Sequence, residues 1–584
     1  MDRREFTQRM LATGVAAGAA TSSAVHFLSP TARAQEQLAG GRKVAVGRRH
    51  VAATVHPIAT QAAMHVLEAG GNAVDAAVAA SLMLSVVDIH NSGLGGGGLA
   101  LVRTPQGEIF ALDGRERAPL SANPGTFSPG GVLNAQLSQT GPLASGTPGL
   151  FALLARLDTQ FGTGRIGTSL RAAAEVAGQG FAIDAPMARN LTSHRDDLGQ
   201  FPESARVLLP PSGKPWSEGD HLIQTDLART LELLAQHGST WFYHGEFAER
   251  VSKLMSEHSG ILNAADFANY FVAERRPIEC SYRRLRVTGF PPPSSGGIHI
   301  AQMLGMLSQF DVRAIFEQSE ARGLHVLAEV MKRAMADRAH WLGDSDFAPV
   351  PRGLLDEQYL ADRANGIDLD RSTAVENHGM PPRSSEDLFA PGKHTTHLTC
   401  ADEQGFVVAL TQTINTSFGS KMMVPGTGVL LNNEMDDFSL APGVRNAFGL
   451  VGSAANAVAP GKRPLSSMSP TIVLDEDNRF RLTVGAAGGP KIITSVLQIL
   501  VRCIDLGQSI EAALAAPRLH HQWSPDTLAY EDAMPPEFSD SWQDSGHVLV
   551  AGKSLSVAQG IEVRSGGDLL AASDPRVPSL AAGA

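Results

Sequence analysis

Apolar and polar positions near the start of the chain follow the spacing of two helices. Residues 56–67 place apolar side chains three and four positions apart, and Gly70 marks a typical helix end. Asn72 is a good N-cap for a second helix over residues 73–87, which is rich in Ala, Val and Leu. Asp75 lies inside that apolar run, where we expect a hydrogen-bonded structural carboxylate and no catalytic role.

The pattern changes to that of a β-hairpin later in the chain. Residues 395–401 and 406–413 are rich in β-branched and apolar residues, and the segment between them has the composition of a turn. A three-residue loop with Gly405 in the left-handed conformation sets the register of the two strands. In this register the residue numbers of two paired residues add up to 808. Thr395 then lies opposite Thr413, whereas a shift of one residue would turn Thr413 to the other face.

The remaining pattern is mainly helical before the hairpin and mixed after it. Amphipathic helices alternate with Pro- and Gly-rich loops from about residue 150 to residue 345. Residues 346–394 are polar and irregular, which predicts a surface linker leading to Thr395. A second hairpin is predicted over residues 471–484, and a helix from Lys491 to about residue 505.

Composition limits the function classes. The chain has 584 residues, 43% hydrophobic and 18% charged, as in an ordinary globular protein of two to four domains. Its net charge of −11 argues against a nucleic-acid partner. Three scattered cysteines give no disulfide framework and no metal-binding spacing, and the adjacent His520 and His521 are a poor ligand pair. We therefore expect neither a metal nor another cofactor.

The first 34 residues have the pattern of an export signal. Paired arginines and a phenylalanine open the chain, residues 10–28 carry no fixed charge, and Ala32-Arg33-Ala34 fits a cleavage site. The paired arginines favour the twin-arginine route, and the alternative is a disordered basic tail. Elsewhere the chain lacks an apolar run of about 18 residues. These features predict a periplasmic protein with no stable membrane span.

A glycine run at residues 93–98 contains the spacing Gly-x-Gly-x-x-Gly. Dinucleotide binding requires a strand before such a run and a helix after it. Here a helical run precedes it and the strand-like residues 99–103 follow. The context argues against a nucleotide-dependent enzyme.

Thr395 is the candidate nucleophile. A threonine hydroxyl needs a nearby base, and the α-amine of an N-terminal threonine is one such base, with a pKa of about 7.7–8.0 when unperturbed. Thr395 acquires that amine only if the His394–Thr395 bond is cut, so the hypothesis requires self-cleavage. Taken alone, the Thr-Thr-His sequence fits an ordinary β-strand better than a nucleophile site.

Five polar motifs carry a family resemblance in combination with Thr395. They are Asp-Gly-Arg-Glu-Arg-Ala-Pro at 113–119, Thr-Ile-Asn-Thr at 413–416, Asn-Asn-Glu-Met-Asp-Asp-Phe at 432–438, Arg-Pro-Leu-Ser-Ser-Met-Ser-Pro at 463–470, and Gly-Ala-Ala-Gly-Gly-Pro at 485–490. Over residues 45–580 the chain resembles the γ-glutamyltransferases of the N-terminal-nucleophile hydrolase superfamily. The resemblance implies an α/β fold, a four-layer αββα sandwich with a helix-rich large-subunit portion. It also implies self-cleavage into a large subunit of residues 35–394 and a small subunit of residues 395–584, which stay together as a heterodimer.

The resemblance implies roles for ten residues. Thr395 is the nucleophile, Thr413 orients it, and the N–H groups of Gly488 and Gly489 stabilise the oxyanion. The substrate-binding set is Arg115, Ser466 and Ser467 for the α-carboxylate, and Asn415, Glu434 and Asp437 for the α-amino group. Asn415 also contacts the α-carboxylate. Sequence alone leaves a surface ion pair of Arg115 with Glu116 or Asp113 equally open.

The implied reaction is cleavage of a γ-glutamyl amide such as glutathione, with transfer of the acyl group to water or to amino acids and peptides. Residues 442–456 match a lid segment of the family, with Phe448 where many members carry tyrosine. One alternative is a cephalosporin acylase of the same superfamily that takes a glutaryl group. A second is an unprocessed binding protein with a relic site.

Overall fold

The computed structural model describes residues 42–382 and 396–584. Within these residues two seven-stranded antiparallel sheets face each other, and helices cover the outer face of each. This four-layer αββα arrangement confirms the predicted fold class. The predicted signal at residues 1–34 lies outside the described residues.

The strands and helices have the following bounds. The strands are β1 (Val44–Gly47), β2 (His50–Thr54), β3 (Gly97–Arg103), β4 (Ile109–Gly114), β5 (Phe181–Ala182), β6 (His221–Leu222), β7 (Ala273–Arg275), β8 (Ile278–Tyr282), β9 (Leu285–Gly289), β10 (His397–Asp402), β11 (Val407–Thr413), β12 (Met423–Val424), β13 (Val429–Leu430), β14 (Thr471–Leu474), β15 (Phe480–Ala487), β16 (Leu519–His521), β17 (Leu528–Glu531), β18 (Leu549–Gly552), β19 (Val557–Val563), β20 (Leu569–Ser573) and β21 (Leu580–Gly583). The helices are α1 (Pro57–Glu68), α2 (Ala73–Val87), α3 (Gln136–Gln139), α4 (Leu150–Gln160), α5 (Ile166–Gln179), α6 (Ala185–Ser193), α7 (Arg195–Gly199), α8 (Pro202–Leu208), α9 (Thr225–Tyr243), α10 (Glu246–Glu257), α11 (Ala264–Ala268), α12 (Gly296–Leu307), α13 (Val312–Gln318), α14 (Glu320–Trp341), α15 (Glu357–Asn365), α16 (Lys491–Ile504), α17 (Ile510–Ala515) and α18 (Pro536–Asp544).

Both sheets combine strands from the two sides of the undescribed stretch at 383–395. The first sheet has the order β21-β2-β10-β11-β3-β4-β7, and the second has the order β1-β20-β19-β15-β14-β9-β8. Every neighbouring pair in these two sheets is antiparallel. A cut between residues 382 and 396 would therefore leave two pieces held together by backbone hydrogen bonds and a shared core.

Side-chain alternation along the strands builds three apolar layers. On β10, Leu398 and Cys400 pack toward the helices, while Ala401 packs between the sheets with Ala409 of β11. This follows from the two-residue period of a strand, which sends successive side chains to opposite faces. The second sheet packs its outer face against α12 and α16, and α14 packs against α12 in the same apolar cluster.

The predicted helical pair is confirmed. Helix α1 begins after His56, and Gly70 follows its end with a φ of +83°. Asn72 and Asp75 form a capping box at the start of α2. Asp75 also accepts hydrogen bonds from the backbone and hydroxyl of Thr163 at 2.8 and 2.9 Å, so it is structural, as expected.

The predicted hairpin register is confirmed over the described residues. His397 lies opposite Thr411 and Ala401 lies opposite Val407, so each pair adds up to 808. Gly405 occupies the turn with a φ of +96°. The predicted partner of Thr413 is Thr395, which lies outside the described residues.

The predicted surface linker at residues 346–394 is wrong in part. Helix α15 lies within it, and Asp356 caps this helix by accepting the Tyr359 N–H at 3.0 Å. The polar composition of this segment concealed a short amphipathic helix whose apolar residues Tyr359 and Leu360 are buried. Among the described residues, no helix has the length and apolar character required to span a membrane.

Candidate active site

Arg115 anchors a fully buried cluster of charges. It follows β4 directly, and its guanidinium forms an ion pair with Glu434 through Nη1. The same nitrogen lies 3.3 Å from Glu116 Oε2, and Nη2 lies 3.0 Å from Asp437 Oδ2. Glu434 and Asp437 belong to one short 3-10 turn, Glu434–Asp437, which explains how both reach one guanidinium. The sequence allowed a surface ion pair as the role of Arg115. The ion pairs of Arg115 are buried, so this interpretation is wrong.

The cluster holds three carboxyl groups against one guanidinium. Burial raises the pKa of Glu434 well above its usual range, although Arg115 opposes the shift. Burial likewise raises the pKa of Glu116 to about 7, again against Arg115. The cluster therefore retains protons near neutral pH. It can release them when a ligand brings its own positive charge, because a nearby cation stabilises the ionised carboxylate.

The two predicted serines lie on the segment that borders this cluster. Pro464 contributes its carbonyl oxygen, which accepts a hydrogen bond from Arg115 Nε at 3.4 Å. Ser466 Oγ accepts the Met468 N–H at 3.3 Å. Ser467 Oγ accepts a hydrogen bond from Arg338 Nη2, also at 3.3 Å.

Sequence reasoning missed Arg338. It lies on helix α14 among other charged residues, where its pattern is that of an ordinary helical arginine. Its Nε also donates to Ser295 Oγ at 3.0 Å. Burial lowers its pKa to about 10. Arg338 thus places a second guanidinium beside the predicted carboxylate-binding serines.

Thr413 and Asn415 end strand β11 in a sharp turn. Thr413 Oγ1 accepts the Asn415 N–H at 2.8 Å, and Asn415 has a φ of +77°. Its side-chain nitrogen donates to the Asn433 carbonyl at 2.9 Å. Its Oδ1 is buried without a hydrogen-bond partner among the described residues, and the side chain lines a cavity. Asn415 Oδ1 can therefore accept a hydrogen bond from a bound ligand.

Gly488 and Gly489 form the turn between β15 and α16, close to the predicted helix boundary. Their φ angles are +138° and +60°, a conformation that favours glycine. Both line the same cavity as Asn415. Within the described part of the chain, neither of their N–H groups donates a hydrogen bond. Two backbone donors at a helix start can hold a developing negative charge.

The predicted lid segment covers the Arg115 cluster. Asn446 Nδ2 donates to Asp437 Oδ1 at 3.2 Å, and the Ala447 N–H donates to Asp436 Oδ2 at 2.8 Å. Phe448 packs against Gly489 and lines the cavity. The segment thus lies between the charged cluster and the open space.

The cavity has a volume of about 500 Å³. Thr396, the first described residue after the undescribed stretch, lines it together with Asn415 and the glycine pair. His394 and Thr395 lie outside the described residues. Of the predicted substrate-binding residues, Arg115, Glu434, Asp437, Ser466 and Ser467 are absent from the cavity lining, since they lie in the covered cluster.

Thr396 contacts an aspartate that sequence reasoning also missed. Its hydroxyl donates to Asp88 Oδ2 at 3.3 Å, and Asn91 Nδ2 donates to Asp88 Oδ1 at 2.8 Å. Burial raises the pKa of Asp88 to about 8. The available signal was the polar run at residues 88–92, which separates an apolar helix from the glycine run. With Asp88, the histidines His56, His90 and His194 also line the cavity.

The paired histidines are packed, as expected. His520 Nδ1 lies 2.9 Å from Thr494 Oγ1, and His521 Nε2 lies 3.1 Å from Asp526 Oδ1. The residues that the structure describes contain no group of three or more His, Cys, Asp or Glu side chains arranged to hold a metal.

Comparison with known proteins places the chain in a family. Residues 59–584 match the family model described as Gamma-glutamyltranspeptidase. The chain is 39% identical over 542 residues to a glutathione hydrolase proenzyme of Escherichia coli (strain K12), covering 92% of each protein. It is also 34% identical to an acylase ACY 1 proenzyme of Pseudomonas sp. (strain SE83), covering 89% of this chain and 90% of that protein.

Two solved structures resemble the fold. A cephalosporin acylase from Bacillus halodurans has a TM-score of 0.83 at 25% identity, covering 93% of this chain and 97% of that one. The gamma-glutamyltranspeptidase of Helicobacter pylori has a TM-score of 0.53 at 36% identity, covering 55% of this chain and 91% of that one. The chain therefore belongs to the gamma-glutamyltranspeptidase family and is an enzyme of γ-glutamyl transfer and hydrolysis.

Proposed function

We propose that the chain activates itself by cutting the His394–Thr395 bond. Thr395 Oγ1 attacks the His394 carbonyl carbon, the peptide C–N bond breaks, and the leaving nitrogen becomes the free α-amine of Thr395. Water then hydrolyses the resulting ester. The new amine is the base that the threonine hydroxyl needs. Residues 35–394 and 395–584 remain associated as a heterodimer through the mixed sheets.

In the processed enzyme Thr395 attacks the γ-carbonyl of a γ-glutamyl amide such as glutathione. Thr413 orients the nucleophile, and the N–H groups of Gly488 and Gly489 hold the oxyanion. Two such donors can each contribute about 3–4 kcal/mol of transition-state stabilisation. The leaving amine takes a proton, and the acyl group passes from Thr395 to water, an amino acid or a peptide.

Donor recognition is assigned to the covered cluster. A substrate α-carboxylate replaces the internal carboxyl partners of Arg115 and gains hydrogen bonds from Ser466 and Ser467. The substrate α-ammonium replaces the guanidinium as partner of Glu434 and Asp437, with Asn415 Oδ1 as a further acceptor. A zwitterion therefore exchanges one set of ion pairs for another. The exchange requires the lid around Phe448 to move aside.

One observation carries the proposal. Thr396, Asn415 and the Gly488–Gly489 turn border one cavity, although they lie up to 93 positions apart in sequence. Strand β11 stays paired up to Thr413, and its pairing with β10 brings the start of β10 next to that cavity. The Arg115 cluster lies on the other side of the lid segment.

The predicted export signal at residues 1–34 supports the proposal of a periplasmic site of action reached through the twin-arginine route. That route accepts folded proteins, so folding can precede export. The test is the location of the intact chain and of a variant with Arg3 and Arg4 replaced by lysine, in cells fractionated into periplasm and cytoplasm.

A cephalosporin acylase activity is the second candidate, because acylases are among the chain's relatives and structural neighbours. A glutaryl donor lacks the α-ammonium group. The buried carboxyl groups of Glu434 and Asp437 fit a donor that carries that ammonium, which favours γ-glutamyl substrates. Rates with matched γ-glutamyl and glutaryl amides separate the two activities.

The decisive experiment is denaturing mass spectrometry of the wild-type chain with Thr395→Ala and Thr395→Ser variants. We expect two pieces from the wild type, one beginning at Thr395, and a single uncut chain from Thr395→Ala. Thr395→Ser keeps a hydroxyl and should still cut, more slowly. A cut chain with γ-glutamyl turnover in Thr395→Ala would refute the mechanism.

A further inference from the structure

The cavity has a second polar wall that donor recognition leaves unused. It consists of Asp88, His90, Asp184 and His194, all of which line the cavity. Asp88 and His90 follow helix α2, and Asp184 and His194 flank helix α6 at its two ends. The proposed function places the amino-acid end of the donor in the covered cluster. This wall therefore faces the group that is attached to the nitrogen of the scissile amide.

Asp184 supplies the negative charge of this wall. No lysine or arginine is among the described residues that line the cavity. Burial lowers the pKa of His90 to about 4, so this ring is neutral at neutral pH. Burial raises the pKa of Asp88 to about 8, and the charge of Asp184 adds to that increase. Asp184 itself is half-buried and accepts the Met187 N–H at 2.8 Å as the cap of α6.

The wall also contains a ring nitrogen, His90 Nδ1, that is shielded from solvent. His90 is only 6% exposed, lines the cavity, and its Nδ1 has no hydrogen-bond partner among the described residues. The nearest recorded contact of that nitrogen is Asp88 Oδ1 at 3.5 Å. A buried ring nitrogen without a partner is unfavourable unless a ligand or water completes it.

Building on the proposed function, we propose that the Asp88–His90–Asp184–His194 wall is the subsite for the leaving group and the acceptor, and that it favours neutral or cationic amines over amines carrying a carboxylate at this position. In the transfer step the acceptor nitrogen forms an amide bond with the γ-glutamyl carbonyl carbon. The ester C–O bond to Thr395 breaks, and the proton lost by the acceptor goes to the departing Thr395 oxygen, which becomes the hydroxyl again.

The selectivity follows from electrostatics. A carboxylate that enters this half-enclosed space loses hydration and finds no cationic partner there. It also meets the like charge of Asp184. An ammonium group at the same place gains an attraction to Asp184. Glutathione, whose leaving dipeptide ends in a carboxylate, should therefore be a weaker donor than its C-terminal amide.

The test compares γ-glutamyl-4-nitroanilide with γ-glutamyl-3-carboxy-4-nitroanilide, which differ by one carboxylate on the leaving group. The quantity measured is the ratio of their kcat/KM values in the processed enzyme. Asp184→Asn and Asp184→Ser remove the charge and keep an oxygen that can cap α6. Asp196→Asn removes an exposed charge nearby and serves as the control. Intrinsic reactivity differences between the donors cancel when the ratios are compared across variants.

We expect both Asp184 variants to reduce the preference for the uncharged donor about fivefold to tenfold, with no change in Asp196→Asn. Raising the ionic strength from about 0.02 M to about 0.5 M should reduce the preference in the wild type and leave it unchanged in Asp184→Asn.

A second test varies the acceptor with a common donor. The transfer rate should decrease from lysine to glutamine to glutamate, and the differences between these rates should become smaller in the Asp184 variants. Equal ratios in all chains would overturn the subsite while leaving the proposed function intact. Failure of the wild type to cleave either donor would instead reject the proposed function.

Discussion

The Arg115 cluster and the Asp88 wall both bury acidic side chains, yet they neutralise them in different ways. At Arg115, three carboxyl groups share one guanidinium in a space without solvent contact. Among the described residues Asp88 contacts no arginine or lysine. Thr396 and Asn91 donate hydrogen bonds to it, and His90 Nδ1 lies 3.5 Å away. The first region combines ion pairs to a guanidinium with bound protons, whereas the second relies on a bound proton without a cationic partner.

This difference separates two kinds of recognition. Oriented ion pairs define the shape and both charges of one ligand, as a strict donor site requires. A cavity wall with a single fixed charge selects by the sign of the ligand's charge and tolerates many shapes. We therefore expect narrow donor specificity and broad acceptor specificity in the same enzyme.

Removal of Arg115 should have the largest effect. Arg115→Ala leaves three buried carboxyl groups without a cation and removes the proposed partner of the donor α-carboxylate. We expect kcat/KM for γ-glutamyl donors to fall about a thousandfold, with a loss of about 3–5 kcal/mol in stability. Steady-state kinetics and thermal unfolding measure the two effects. Arg156→Ala, which removes an exposed arginine, is the control and should match the wild type. Full activity in Arg115→Ala would place donor recognition elsewhere.

Gly488 should come next, because it borders the cavity and is proposed to hold the oxyanion. An added Cβ at its φ of +138° would lie 2.9 Å from the Leu555 carbonyl oxygen. Gly488→Ala should turn the backbone N–H away and reduce kcat about 10²–10³-fold with a smaller change in KM. Gly552→Ala is the matched control, since open space surrounds that position. An unchanged kcat would remove Gly488 from the oxyanion role.

Asp437 tests the ammonium half of the donor cluster. Asp437→Asn keeps the shape and removes a charge that contacts Arg115 at 3.0 Å. We expect kcat/KM for a γ-glutamyl amide to fall about 30-fold, while the matched glutaryl amide changes less than about threefold. Glu434→Gln should cost only about fivefold, because burial already raises the pKa of this carboxyl group and favours its protonated form. Equal losses for both donors would favour the acylase activity.

Much of the fold was predictable because its signals are local. The capping box of Asn72 and Asp75, and the turn at Gly405, act over a few residues and set the helix and the hairpin register. Helix α15 was missed because short polar helices depend on packing partners that lie far away in sequence. The prediction of a surface linker over residues 346–394 was wrong in part for that reason.

The residues of the candidate site also fall into a group that the sequence predicted and a group that it did not. Arg115, Asn415 and the glycine pair were found because they belong to compact motifs. Arg338 and Asp88 were not found, because their roles come from contacts at long sequence separation. Arg338 lies 129 positions from Ser467, and Asp88 lies 308 positions from Thr396. Single-sequence patterns carry no information about such pairs.

Asp88 provides the last prediction, on the pH dependence of stability. Its pKa is about 8 in the folded chain, against 3.8 for the ordinary group. Between pH 4 and pH 8 the folded chain therefore keeps a proton that the unfolded chain has released. Stability should decrease by about 1.4 kcal/mol for each pH unit across that window because of this group. Asn resembles the protonated acid and has no proton to lose, so Asp88→Asn should remove this decrease.

The measurement uses the Thr395→Ala precursor, so that every chain stays uncut, with and without Asp88→Asn. Thermal midpoints are recorded at pH 5, 6, 7 and 8. The advantage of Asp88→Asn should be small at pH 5 and grow steadily toward pH 8, by about 1.4 kcal/mol per unit. Burial lowers the pKa of His56 and His90 to about 4, but their contribution is common to both chains and cancels. Asp196→Asn, at an exposed position, should follow the parent at every pH. Parallel curves for Asp88→Asn and its parent would mean that Asp88 is already ionised in the folded chain, and the contrast with the ion-paired Arg115 cluster would then fail.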